Sequence, residues 1–146
     1  MGIWFEDPLS AEEYLEQADE YFESGYVDLK DREYFYDDLN MAINCYENFS
    51  KALDYYKRAL DLYEEDLLYL GSDSDEFRAS VRCLKNIEAC GHNIKIAKVN
   101  IAECYMDEAV RLWNNYDYDE ARRMREKAIE WNRDILDLED SYTWEF

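Results

Sequence analysis

The chain has 146 residues, 48% of them apolar, enough for one domain with its own core and too apolar for a disordered segment. Its 36 acids against 16 bases leave a net charge of −20, a sign that argues against nucleic acid as a direct ligand and makes a basic protein surface the natural complement. The charge is uneven: residues 1–76 hold 22 acids and 5 bases, residues 77–146 hold 14 and 11.

The opening MGIWFEDPLS lacks a basic segment followed by a long apolar run, so no secretory signal is expected. Glu6 stands where an N-myristoylation motif needs Ser or Thr. Ser10 and Glu13 form a capping box that opens a helix over about 10–24, stopped near Gly25. A second helix is expected over about 31–47, with Tyr36, Leu39, Ile43 and Tyr46 as its buried stripe. A third spans roughly 50–70 and carries Ala52, Leu53, Tyr56, Ala59, Leu60 and Tyr63.

After the loop GSDSD, Asp73 with Glu76 caps a fourth helix over about 75–90. The run CGHN then marks a break or kink, and a fifth helix follows over about 93–115. Ile94, Ile96, Ala97, Val99, Ile101, Ala102, Cys104, Tyr105, Ala109, Val110, Leu112 and Trp113 spread over more than one of its faces, which makes it the central helix. Asp117 and Glu120 cap a sixth helix reaching about 138, and the tail DSYTWEF is acidic and aromatic. The expectation is a single all-α domain of about six antiparallel helices over 1–146, with no apolar run long enough to span a membrane.

Ala52 and Ala59, seven residues apart, recur as Ala121 and Ala128, and Phe49 three residues before the first pair is matched by Tyr118 before the second. The copies lie 69 residues apart, close to twice the period of a helical-hairpin repeat. On these residues the chain resembles the tetratricopeptide-repeat family over 33–66 and 102–135, with Tyr14, Ala18, Tyr21 and Gly25 like half of another repeat. The resemblance implies an α-solenoid of hairpins; a compact helical bundle with Ala at its close contacts is the alternative. No proline closes either repeat, Asn40 stands where a small residue is usual, and Arg125 where a large apolar one is.

Family members that clamp acidic tails carry basic residues and Asn on the inner face of the first helix. Here those positions read Tyr34, Asp37, Met41 and Asn44, then Glu103, Met106, Val110 and Trp113, so the resemblance implies a basic or apolar ligand. Met41, Asn44, Met106, Val110 and Trp113 are the candidate groove.

Catalysis has no signature. There is no glycine-rich phosphate loop and no nucleophile elbow. Cys83, Cys90, His92 and Cys104 are the one potential soft-metal set, but no CxxC pair occurs, and a single histidine rules out a di-iron bundle. The four cysteines read as reduced thiols of an intracellular, cytoplasmic protein, and no cofactor is expected.

Ten of the 14 tyrosines lie in the acidic half, and tyrosine beside carboxylate suits Lys and Arg of a partner. The candidate partner surface is therefore Asp28, Asp31, Tyr34, Asp37, Asp38, Asp54, Tyr55, Asp61, Glu64, Glu65 and Asp66. The functional expectation is a non-enzymatic module that binds a basic protein. A sharper form is an inhibitor that occupies a nucleic-acid-binding surface, similar in composition to small acidic proteins that block restriction or CRISPR effectors. The alternatives are an adaptor, immunity protein or scaffold that holds a peptide or helix in the groove and, from another class, a metal-dependent enzyme.

Overall fold

The computed structural model describes residues 9–26, 35–67 and 74–134, in which four α-helices and no strand are found. These are α1 (Ala11–Gly25), α2 (Phe35–Leu67), α3 (Asp75–Asn114) and α4 (Tyr118–Trp131). None is long and apolar enough to cross a membrane. Asp28, Asp31, Tyr34, Asp73 and the tail after Asp134 lie outside the described residues, as does the side chain of Asp66.

The expected count of about six helices is corrected to four because two expected breaks are absent. Residues 47–50 run straight through α2, and CGHN runs straight through α3. Asn48 and Ser50 each cost a helix less than about 0.7 kcal/mol and Gly91 about 1 kcal/mol, whereas the buried stripes continue across both places. On α2 the stripe is Ala42, Phe49, Tyr56 and Tyr63; on α3 it is Cys83, Cys90, Ala97 and Cys104, each at most 3% exposed. A seven-residue apolar spacing sustained in this way is the pattern of a helix packed along its length.

The helix ends follow from local hydrogen bonding. The capping box at α1 is present: the Glu13 N–H donates to Ser10 Oγ and the Ser10 N–H to Glu13 Oε1, both at 3.2 Å. At α3 the cap is Ser74, whose Oγ accepts from the Phe77 N–H at 3.2 Å. The expected Asp117–Glu120 cap of α4 does not form; Asp117 makes no side-chain capping bond, and Glu120 pairs with Arg123 at 3.1 Å instead. α4 ends at Trp131 rather than near 138, because Asn132 is extended, although its N–H still donates to the Ala128 carbonyl.

The turn between α3 and α4 is a Schellman motif: the Asp117 N–H donates to the Leu112 carbonyl and the Tyr116 N–H to that of Trp113. Tyr116 therefore occupies the left-handed position, with φ 66°, where glycine is usual. Tyr116→Gly should raise stability by about 0.5–1 kcal/mol, the left-handed penalty less the extra chain entropy glycine loses. A higher urea midpoint at unchanged slope is the expected reading.

The described residues form two compact units. Unit 1 gathers α1, α2 from Asn48 onward and α3 up to His92. Its buried residues combine small side chains with rings: Ala11, Ala18, Ala52 and Ala59, the rings of Phe49, Tyr56 and Tyr63, and Cys83 and Cys90 on α3. Gly25 closes α1 at a point of very close approach, since a Cβ there would come within 2.8 Å of the Phe49 ring. Phe22 packs edge-on to both Phe49 and Tyr56.

Unit 2 gathers the first part of α2, α3 from Asn93 and α4. One buried cluster is Ala102, Met106, Ala109 and Ala128, and another is Leu39, Ala42, Ile101 and Cys104. Trp131 packs against both and meets Tyr46 edge-on. Two stripe expectations fail here. Tyr36 is 74% exposed because its neighbour Phe35 takes the inward place against Tyr105, and Ile96 is 46% exposed.

Candidate partner-binding surfaces

In unit 1 the residues that repeat every turn on α1 carry the strongest charge. Glu12, Glu16 and Glu20 follow one another at i,i+4, Glu23 comes three residues later, and all four are exposed with no ion pair among the described residues. Like charges at this spacing oppose the helix by about 0.2–0.5 kcal/mol per pair. On α2, Asp61, Glu64 and Glu65 are likewise exposed and unpaired among the described residues. Asp54 differs: it is exposed but pairs with Arg58 at 3.0 Å.

Tyrosines join α1 to α2 beside these acids. Tyr21 stacks on Tyr55 with centroids 5.5 Å apart, and Tyr14 meets the same ring at 5.8 Å. The chain's own cations already cover them: Arg58 lies over Tyr14 and Tyr55, and Lys51 over Tyr21. Tyr55 is thus a half-buried member of an internal ladder rather than a ring open to a partner.

Beneath this surface Asp19 ties three helices together. It accepts from the Tyr56 hydroxyl at 2.5 Å and pairs with Arg82 of α3. Burial pushes the Tyr56 hydroxyl well above the usual tyrosine range, and the Asp19 bond pushes it further. Burial works against the charge of Arg82, but the hydrogen bond and charge of Asp19 hold it above its ordinary value. Tyr63 is pushed up to about 12, by burial first and then by the Glu12 carboxylate. Burial likewise raises the Cys83 and Cys90 thiols to about 11, Arg82 acting in the opposite sense on Cys83. The Asp19–Tyr56 hydrogen bond and the Asp19–Arg82 ion pair thus link α1, α2 and α3 within unit 1.

In unit 2, the first turn of α2 and the last turns of α3 enclose a cleft of about 190 Å³ lined by Phe35, Asp38, Cys104, Asp107, Glu108 and Arg111. The Glu108 side chain is only 10% exposed, and Arg111 holds both its oxygens, through Nε at 2.9 Å and through Nη2. This hydrogen bond keeps Arg111 above its ordinary value, with Tyr36 and Asp117 adding to the effect. Asp38 is 6% exposed and has no hydrogen-bond or ion-pair partner among the described residues. It was expected on an open acidic face together with Asp37; only Asp37 is exposed.

The candidate groove does not assemble as a surface. Met106 is fully buried in the cluster with Ala102, Ala109 and Ala128, while Asn44 is exposed and Met41, Val110 and Trp113 are half-buried. Trp113 packs edge-on to Tyr118 at 4.5 Å and lies under Arg122. Among the described residues no three carboxylate, thiol or imidazole groups converge as metal ligands.

Sequence reading passed over the Glu12–Glu23 stripe, which the i,i+4 spacing on the first helix displays, and over the lining pair Asp107 and Glu108, which no spacing marks out. The chain matches no protein-family model, no curated protein and no solved structure.

Proposed function

We propose that this protein is a non-catalytic interaction module whose acidic helices hold a basic protein partner. The observation that carries the reading is the stripe of Glu12, Glu16, Glu20 and Glu23, a row of mutually repelling, unpaired carboxylates that weakens its own helix. Carboxylates at helical spacing with a complementary basic surface would speed encounter and make it sensitive to salt. In its sharper form the partner is a nucleic-acid-binding protein, and the acidic surface competes with phosphate for it.

The turn that folds α4 back onto the end of α3 supports a tetratricopeptide-like hairpin over 102–135, with Ala128 against Ala102 and Ala109. Residues 35–66 run as one helix and offer no such hairpin.

The double variant Glu16→Gln/Glu20→Gln should be more stable than the wild type by about 0.6–1.5 kcal/mol, since the three like-charge contacts of the stripe, Glu12–Glu16, Glu16–Glu20 and Glu20–Glu23, are relieved. It should also associate more slowly with a basic partner recovered from the host and lose part of the salt dependence. Stopped-flow association at several ionic strengths reads both. Equal rates at every salt concentration would remove the acidic stripe from the binding surface, and a complex that neither DNA nor RNA displaces would end the mimic form.

A further inference from the structure

The cleft of unit 2 contains a charge that the fold leaves unanswered. Asp38 and Glu108 are both withdrawn from solvent, yet Glu108 has both oxygens satisfied by Arg111 while Asp38 has no partner among the described residues. Among the described residues no enclosed side-chain oxygen lacks a hydrogen-bond partner, so the Asp38 oxygens meet the solvent of the cleft, and a cation entering it would exchange that water for a direct charge partner. Arg111 does not fill that role, since Glu108 engages its guanidinium through both Nε and Nη2.

The cation is organic. No three ligating groups converge for a metal among the described residues, and the cleft, at about 190 Å³, has room for about six waters at their liquid volume. The Phe35 ring lines the cleft together with Asp38 and supplies an apolar wall. An apolar wall ending in one compact carboxylate matches a four-carbon stem ending in an ammonium.

We propose that this cleft receives a lysine side chain of the basic partner, with Asp38 as counter-ion and Phe35 packing on the methylene stem. The proposal rests on the reading of the protein as a binder of basic proteins and assigns to it one specific contact.

The test uses the full chain, ¹⁵N-labelled, as wild type and as Asp38→Asn. One probe is a capped Ala-Lys-Ala peptide, a second is the same peptide with its lysine acetylated, and a third is decalysine. The single-lysine peptide should shift the amides of Asp38, Cys104 and Asp107 saturably, the acetylated one should not, and Asp38→Asn should weaken decalysine binding roughly tenfold. Asp38→Asn should melt no lower than the wild type, because no hydrogen bond or ion pair among the described residues is lost.

Silent cleft amides in the wild type would overturn the proposal whatever the variant does. So would decalysine binding that is unchanged in Asp38→Asn, or a cleft that answers to spermidine or to Ala-Arg-Ala but not to lysine. Failure of the broader reading looks different: decalysine would not bind at low salt at all, while the single-lysine peptide would still decide on the cleft.

Discussion

Tyr56→Ala should cost about 3–5 kcal/mol, the range for removing a large buried ring, and so remove a third or more of the stability of a typical domain. Tyr56 is 1% exposed, packs against Phe22 on α1, and donates its hydroxyl to Asp19. Its loss opens a cavity and leaves Asp19 with Arg82 alone. Tyr56→Phe separates the two effects, since it keeps the ring and deletes only the hydrogen bond. That change should cost about 1–2 kcal/mol, at the low end because Asp19 is about one-third exposed and gains water. Urea unfolding of both variants provides the measurement; a Tyr56→Ala loss under 1 kcal/mol would show that unit 1 does not depend on this ring.

Alkali should unfold the protein between about pH 9 and pH 11. Burial raises the Cys83 and Cys90 thiols from 9.0 to about 11. Both are neutral when protonated, so the native state holds their protons more tightly than the unfolded chain. The stability linked to them is complete below about pH 9 and is lost as the pH rises through 11. At 1.36 kcal/mol per unit, each thiol accounts for about 2–3 kcal/mol at full loss. Two such losses approach the whole stability of a small domain, and Tyr63, raised to about 12, adds to them at still higher pH. Cys83→Ala/Cys90→Ala should flatten the fall of unfolding free energy between pH 9 and 11, whatever its stability at neutral pH. An unchanged slope would place the thiols outside the transition.

All-α architecture was legible because nearly every segment carries helical spacing, and Ser10 with Glu13 marked the start of α1 to the residue. The two expected breaks, between 47 and 50 and at CGHN, are absent because the buried stripes run through both places. Ala52 and Ala59 sit in a seven-residue spacing that α1 repeats with Ala11, Ala18 and Gly25, and α3 with Cys83, Cys90, Ala97 and Cys104. That short period already calls for continuous packed helices, whereas attention to the longer one of about 34 residues called for hairpins.

The unpaired acids of α1 were legible in principle from i,i+4 spacing. The cleft was not. Asp37 and Asp38 are indistinguishable as letters, and only the place of Phe35 against Tyr105 turns one carboxylate inward and leaves its neighbour in water. A residue whose role depends on which side of a helix meets the core leaves a trace in the sequence only when the register of that helix is already known.

The thiols of unit 1 carry a further consequence. Thiolate is the form that oxidants and alkylating reagents attack, and Cys83 and Cys90 are both fully enclosed and held protonated. Oxidation of either must therefore wait for the helices to part, so the durability of the molecule in an oxidising medium is set by how often unit 1 opens and not by the strength of the oxidant. Half-buried Cys45 has no such shelter. The fold thus encloses Cys83 and Cys90 in unit 1 and Cys104 in unit 2, and leaves Cys45 half-buried, so the pair in unit 1 records how often that unit opens.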